Sequence, residues 1–333
     1  ADWVMNKSRE WRDHYESNYD EKFREYYRLW RCQWAEEEET RDSERSRIIA
    51  PATQQAVESN VAEVEEASFG KTGLLFDIED KFGSNETEAV TLLRKKLTED
   101  FELARIRSAV GECLINAAVY GTGIAGVVVE ERKINTPASR PLMDGALQEI
   151  GVEASTKPVV KLNPLQPQNF LIDPSATNVD EAMGCIVEEF VSLHTVEMAQ
   201  DDGIYDSTVE VGTAASDDDI ESDRELTNEA LDRVRLTKYY GLVPRECLEE
   251  AGVEVESEDL YIEAIVVLAN EGQLLKAIVN PYMMEDRPIV AFAWDVVPSR
   301  FWGRGVCEKG YMSQKALDAE MRARIDALGL TTH

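Results

Sequence analysis

The C-terminal part of the chain contains a long helix whose apolar residues form two separate strips. The spacing predicts a helix from Gly305 to Leu328, about 36 Å long at 1.5 Å per residue. Projected at 100° per residue, it separates two apolar sets by a polar strip. The first set is Val306, Leu317, Met321, Ile325 and Leu328; the second is Met312, Ala316, Ala319, Ala323 and Ala327; the polar strip is Tyr311, Lys315, Asp318, Arg322 and Asp326. The pattern fits both a ring of neighbouring helices and one helix inside a single core.

The first 120 residues are predicted to be mainly helical. Residues 3–39 place seven aromatic side chains on one helix face, expected to be buried against the rest of the protein or a neighbouring subunit. A second helix is predicted to begin near Pro51 and to end at Gly70. A third is predicted between residues 83–85 and Tyr120. Its expected buried stripe is Leu93, Leu97, Phe101 and Ala104.

A glycine-rich turn follows the third predicted helix. Residues 121–126 read GTGIAG, which formally matches the GxGxxG motif. A dinucleotide site requires strand, turn and then helix, whereas here the glycines follow a helix and precede the apolar run Val127–Val129. The motif is therefore interpreted as a helix stop and a tight turn.

Short β-like runs occupy much of the remaining sequence. Residues 131–175 are predicted to be a mixed α/β region with long connections. A small β-rich unit is predicted from Val234 onward, with a hairpin turn at residues 270–272. Between them, Asp201 to Asp232 contains twelve acidic residues and one basic residue. This segment is interpreted as a solvated loop, with a carboxylate metal site as the less favoured alternative.

Charge and composition narrow the class of function. The 333 residues include 65 acidic and 35 basic side chains, for a net charge of −30, which disfavours a conventional DNA-binding module. Five dispersed cysteines lack CxxC spacing, so neither a zinc site nor a disulfide framework is predicted. Membrane insertion is not expected. The sequence lacks GxSxG, HExxH and GxxxxGK[ST] motifs, so no catalytic residue, cofactor site or metal site is predicted.

Five stretches in order along the chain resemble the portal, or head-to-tail connector, proteins of short-tailed double-stranded DNA phages. The stretches are Ser46–Pro51, Tyr120–Gly123, Asn169–Ala176, Tyr240–Pro244, and Phe301–Val306 with Gln314-Lys315 and Arg324–Asp326. The resemblance implies an α+β portal fold with a helical and mixed wing, a long stem helix and a small β-rich clip. It implies a non-enzymatic ring of about twelve subunits in the virion, at one capsid vertex, assembled in the host cytoplasm.

The resemblance also implies segments, partners and residues. Residues 1–200 are expected to be the wing, 201–232 an acidic loop, 233–290 the clip, and 291–333 the stem helix region. Expected partners are further copies of the chain, the major capsid protein, the tail adaptor, the terminase and passing double-stranded DNA. The candidates for contact with DNA are Lys309, Lys315 and Arg322, and those for packing between subunits are Phe301, Trp302, Leu317, Met321 and Ile325. From composition alone the acidity is interpreted as conferring solubility. Under the portal interpretation it gives passing DNA a channel wall to which it does not adhere.

Two alternatives remain beside the portal interpretation. One is another head or neck component such as an adaptor, and the other is an acidic intracellular enzyme. Later wing and crown segments usual in the portal family have no counterpart here, so the sequence is expected to be either part of a longer product or a shortened relative of the family. The first residue, Ala1, fits part of a longer product.

Overall fold

A computed structural model describes residues 1–33, 46–70, 88–141, 148–212 and 233–331, except 256, 271, 283 and 285. The fold is mixed α+β with antiparallel sheets, which confirms the predicted α+β class. Most of the predicted acidic loop, residues 213–232, lies outside the described residues, as does Trp34.

The N-terminal helix is interrupted and ends earlier than predicted. It consists of α1 (Asp2–Tyr15), a π-helical turn (Glu16–Asp20) and α2 (Glu21–Arg31). The predicted continuous helix to residue 39 is wrong, because Cys32 adopts φ 53° and stops α2. Three of the seven aromatic side chains, Trp11, Tyr15 and Phe23, are buried in the core of the same chain. For these three, the predicted burial is confirmed.

The following helices match the predictions in part. Helix α3 (Ala52–Phe69) begins after Pro51 and ends at Gly70, as predicted. The prediction of a single third helix is wrong, because Arg105 at φ 54° separates α4 (Glu88–Ala104) from α5 (Ile106–Tyr120). Leu93 is exposed rather than buried.

The glycine turn leads into a long β-hairpin. Gly121 adopts φ +101° and ends α5, confirming the helix stop. Strand β1 (Thr122–Pro141) pairs antiparallel with β2 (Gln148–Leu165), starting from Ile124 opposite Leu165. This hairpin replaces the long connections predicted between residues 131 and 165.

A five-stranded sheet forms the second β layer, in the order β3–β4–β5–β6–β7. Helix α6 (Leu193–Asp201) follows β4, and the short helix α7 (Arg245–Glu250) follows β5. Strands β4 and β5 pair along their lengths, so the sheet crosses the predicted division between residues 1–200 and 233–290. The strands are β3 (Phe170–Ile172), β4 (Gly184–Ser192), β5 (Arg233–Pro244), β6 (Tyr261–Ala269) and β7 (Gln273–Val279). The hairpin predicted at residues 270–272 is confirmed, because β6 and β7 pair directly on either side of it.

Two buried ionic contacts fix this sheet against its surroundings. Arg287 and Glu263 form a bidentate pair with an Nε–Oε1 distance of 2.7 Å. Glu188 accepts a hydrogen bond from Arg235 on the neighbouring strand and pairs with Arg12 on α1. Charges buried at this depth are tolerated because each has an opposite charge beside it.

The chain then returns to the first sheet and enters its longest helix. Strand β8 (Ile289–Ala293) pairs with the start of β1, giving the order β2–β1–β8. Helix α8 (Val306–Thr331) follows, close to the range predicted from its periodicity.

Candidate subunit-contact helix

Two glycine-containing motifs, residues 121–123 and residues 303–305, contact each other where α8 begins. A Cβ on Gly121 would overlap the carbonyl oxygen of Gly303, and one on Gly305 would lie 2.6 Å from Ala118 O. The Gly303 amide donates to the buried Thr122 hydroxyl at 2.8 Å. Backbone approaches this close require the absence of a side chain. The two motifs therefore fix the point at which α8 leaves the core.

An aromatic cluster surrounds the same junction. The centroid of the Trp302 ring lies 5.2 Å from that of Phe23 and 6.0 Å from that of Tyr15. The Phe301 ring packs 5.7 Å from the Phe170 ring. Phe301 and Trp302 are 8% and 5% exposed. The structure thus places these two predicted subunit-packing residues in the chain's own core rather than on its surface.

Helix α8 turns polar side chains toward the protein. Gln314, Asp318 and Arg322 are all buried, at 9% exposure or less. Spacing by four places them on one face of the helix, and this face contacts the segment Ser46–Thr53. Sequence reasoning grouped Asp318 and Arg322 in a polar strip but did not predict that the strip is buried.

The first turns of α8 make polar contacts with α2. The Tyr311 hydroxyl donates to Glu25 Oε2 at 2.5 Å, and Lys315 Nζ lies 4.0 Å from Glu25 Oε1. Lys315 Nζ also lies 5.3 Å from the centroid of the Tyr311 ring. Tyr26 packs against the Tyr311 ring, and burial, with the charge of Glu308 next, raises the pKa of Tyr26 to about 12. This face of α8 therefore belongs to the contact with the body of the chain.

The three cations predicted to contact DNA lie in different surroundings. The Lys309 side chain is 44% exposed and pairs with Asp295, and Lys315 is 48% exposed beside Glu25. Arg322 is buried, and its Nε donates to Ile48 O at 2.9 Å. Arg322 therefore points into the protein, because its guanidinium binds main chain there, and the structure does not bring the three together on one surface.

The apolar side chains of α8 are largely exposed on the isolated chain. Leu317 and Ile325, both predicted to pack between subunits, are 37% and 39% exposed, while Met321 is half-buried. On the second strip Met312 is 77% exposed, and its alanines are exposed as well. The helix thus buries polar residues and leaves apolar ones at the surface, the reverse of the usual arrangement.

Two buried cysteines, Cys113 and Cys307, carry perturbed thiols. Burial raises the pKa of the Cys113 thiol to about 11 and that of Cys307 to about 12, which favours the unreactive protonated form. Across the described residues, no group of three or more histidine, cysteine or acidic side chains is arranged to hold a metal ion. None of the helices within the described ranges combines the length and hydropathy needed to cross a membrane.

Comparison with known proteins identifies the family. A family model described as phage SU10 portal protein matches residues 29–333, which is most of the chain. No curated protein matches the sequence. The matched family comprises structural, non-enzymatic components of the virion, in agreement with the resemblance noted from the sequence. The chain therefore belongs to the SU10 phage portal protein family.

Proposed function

We propose that this protein assembles into a ring at one vertex of the phage head and forms the channel through which DNA is packaged and ejected. The observation that supports this most directly is the exposure of apolar residues on both flanks of α8. Membership of a portal family supports an oligomeric ring with capsid partners.

The geometry of α8 suits a position between two identical neighbours. In helical projection the buried face is centred near Asp318, the strip containing Leu317 lies on one flank, and the strip containing Ala319 lies on the other. Each subunit therefore offers two different apolar surfaces. Pairing one surface with the other is a heterologous contact, which closes into a ring when the rotation between subunits divides a full turn.

The charge of the chain suits a conduit for DNA. With a net charge of −30, the subunit repels phosphates over most of its surface, so passing DNA meets no deep binding minimum. Lys309 and Lys315 are the proposed points of weak contact, because their side chains remain half-exposed on α8. Their partners Asp295 and Glu25 reduce the local positive charge. Contacts of this kind position DNA without reading its sequence.

The family resemblance suggests a structural role for each segment of the chain. We assign residues 1–200 to the wing, 201–232 to an acidic loop, 233–290 to the clip and 291–333 to the stem helix region. The clip would dock the terminase during packaging and the tail adaptor afterwards. Since β4 and β5 pair in one sheet, wing and clip segments are expected to move together at this point.

The proposal is tested by the size and shape of the assembled protein. Light scattering of the purified chain, followed by negative-stain electron microscopy, is expected to show rings of about twelve subunits with a central channel. A charge placed on the small-residue strip by Ala319→Glu is expected to prevent ring formation, because a buried unpaired carboxylate is costly at an interface. Ser313→Glu, on the exposed outer side of α8 between the two strips, is the matched control and should leave the rings intact.

The outcomes separate the candidate functions. A chain that remains monomeric or forms small closed oligomers at high concentration would refute the ring and favour another head or neck component. Rings that form equally well with Ala319→Glu would show that α8 does not lie between the subunits.

A further inference from the structure

The buried face of α8 forms a ladder of polar contacts with the main chain of one segment. Asp326 accepts from the Ser46 amide at 2.7 Å, Arg322 donates to Ile48 O, and Asp318 accepts from the Ala50 amide at 2.8 Å. Gln314 completes the ladder. Its contacts are donation to Ala50 O at 2.6 Å and acceptance from the amide and hydroxyl of Thr53 at 3.1 Å and 3.0 Å.

The spacing of these contacts follows from the geometry of the two elements. Successive ladder residues are four apart on α8, which advances the helix by about 6.0 Å. Their partners Ser46, Ile48 and Ala50 are two apart, which advances an extended chain by about 6.6 Å. The two repeats nearly match, so the segment runs antiparallel to α8 and meets one polar side chain at each step.

The ladder distinguishes the registers of the segment, because a shift by two residues restores the alternation of amides and carbonyls but moves the Thr53 amide and hydroxyl away from Gln314. A shift of the segment by one residue would replace amides by carbonyls opposite Asp318 and would leave a buried carboxylate without this donor, which costs more than the hydrogen bond itself contributes. Gln314 also accepts from the Thr53 amide in the first turn of α3, where helix geometry provides no partner. The ladder therefore fixes the axial position and the rotation of α8 relative to α3.

We infer that Gln314, Asp318 and Arg322 are positioning residues that set the orientation of α8, so that its two apolar strips face neighbouring copies of this chain. This inference rests on the proposed ring. A polar face held by main-chain bonds has one rotational setting, whereas an apolar face slides more easily because hydrophobic contacts are non-directional. The exposed flanks are thereby presented at a fixed angle, which a ring with a defined subunit number requires.

The test compares two acidic residues of the same helix in the full chain. Asp318→Ala removes a buried acceptor, whereas Glu320→Ala removes a carboxylate that is 61% exposed and serves as the matched control. Hydrogen exchange of the Ala50 and Thr53 amides is measured together with the mass distribution of the assembled rings. Asp318→Ala is expected to accelerate exchange by about tenfold or more and to broaden the ring masses, while Glu320→Ala changes neither.

Two milder variants keep the test decisive if Asp318→Ala does not fold. Asp318→Asn keeps an oxygen that accepts from the Ala50 amide and is expected to restore both readouts. Thr53→Val removes only the hydroxyl contact with Gln314 and is expected to accelerate exchange slightly in a folded chain.

Unchanged exchange in both Asp318→Ala and Thr53→Val would overturn the ladder. Accelerated exchange with an unchanged ring mass would overturn its positioning role. Failure of the unmodified chain to form rings would count against the proposed ring, and the exchange data would still decide whether the ladder holds the segment.

Discussion

Replacing Gly303 by alanine tests the close backbone contact between Gly303 and Gly121, which fixes the start of α8. The added Cβ would overlap Gly121 O, lie 2.8 Å from Ala293 Cβ and lie 2.9 Å from Asp295 O. These neighbours are main-chain atoms or the first atom of a side chain, so none can rotate away. Gly303 has no positive φ, and the expected cost is therefore steric.

The magnitude follows from what must shift to relieve the overlap. Forcing one methyl group into a close-packed site costs about 1–3 kcal/mol. Moving Gly121 O and Asp295 O also strains the hydrogen bonds that they accept from Trp294 and Arg304, each worth about 1 kcal/mol net. We expect Gly303→Ala to lower the free energy of unfolding by about 3 kcal/mol or more.

The assay is urea unfolding followed by far-UV circular dichroism, with Gly111→Ala as the control. Gly111 lies inside α5, where an added Cβ meets only Glu65 Oε2 at the ordinary distance of 3.7 Å. Alanine there should stabilise the protein by about 0.5–1 kcal/mol, because it reduces the entropy of the unfolded chain. If Gly303→Ala unfolds at the same urea concentration as the unmodified protein, the close approach of the two motifs does not exist as described.

Three further predictions concern other buried groups of the chain. Arg287→Met should cost about 3–5 kcal/mol in urea unfolding, because it leaves Glu263 buried without its partner; adding Glu263→Leu should recover part of the loss. Burial raises the folded-state pKa of Cys113 to about 11 and that of Cys307 to about 12, from an ordinary 9.0, so their contribution to stability is present below pH 9.0 and lost as the pH rises toward the folded values. Urea midpoints should therefore fall between about pH 9 and about pH 12, less steeply in a Cys307→Ala variant. Trp302→Ala should cost about 3–5 kcal/mol and disrupt the aromatic cluster, measured by thermal unfolding, and a loss below about 1 kcal/mol would contradict its burial.

Elements with strong local signals were predictable from the sequence. Proline and glycine mark the ends of α3, the glycine turn ends α5, and alternating apolar runs mark β5, β6 and β7. Each of these signals acts within a few residues. The helix breaks at Cys32 and Arg105 carry no such signal, since non-glycine residues in the left-handed region are held there by tertiary contacts.

The full length of the β1–β2 hairpin was not predicted, because its prolines and polar residues resemble those of loops. Pro137, Pro141 and Pro158 lie within its strands. Proline is excluded from central strands because it cannot donate to the ladder. Among the described residues, however, β8 pairs with β1 only as far as Gly126. Beyond that point β1 and β2 pair only with each other, so each has one unpaired edge at which proline is tolerated. Proline in an apparent loop therefore does not exclude a strand that has one unpaired side.

The candidate site shows a different limit of sequence reasoning. Helical periodicity correctly grouped Asp318 and Arg322 on one face, but it did not decide what that face contacts. Their partners are main-chain atoms of Ile48 and Ala50, and main-chain atoms leave no trace in residue identity. Phe301 and Trp302 illustrate the converse, because large aromatic residues mark a packing site without stating whether its other side belongs to the same chain.

Net charge and apolar strips act on the proposed ring over different distances. Repulsion between copies of net charge −30 is screened beyond about 8 Å at physiological ionic strength, whereas burial of a leucine contributes about 1.5–3 kcal/mol only on contact. Copies that meet with the strips aligned gain the contact energy of residues such as Leu328, which is 64% exposed alone, and this gain offsets the repulsion. Copies that meet at a surface without such apolar residues experience mainly repulsion. The acidity is therefore compatible with the proposed ring, since the apolar contact offsets the repulsion only where the strips meet.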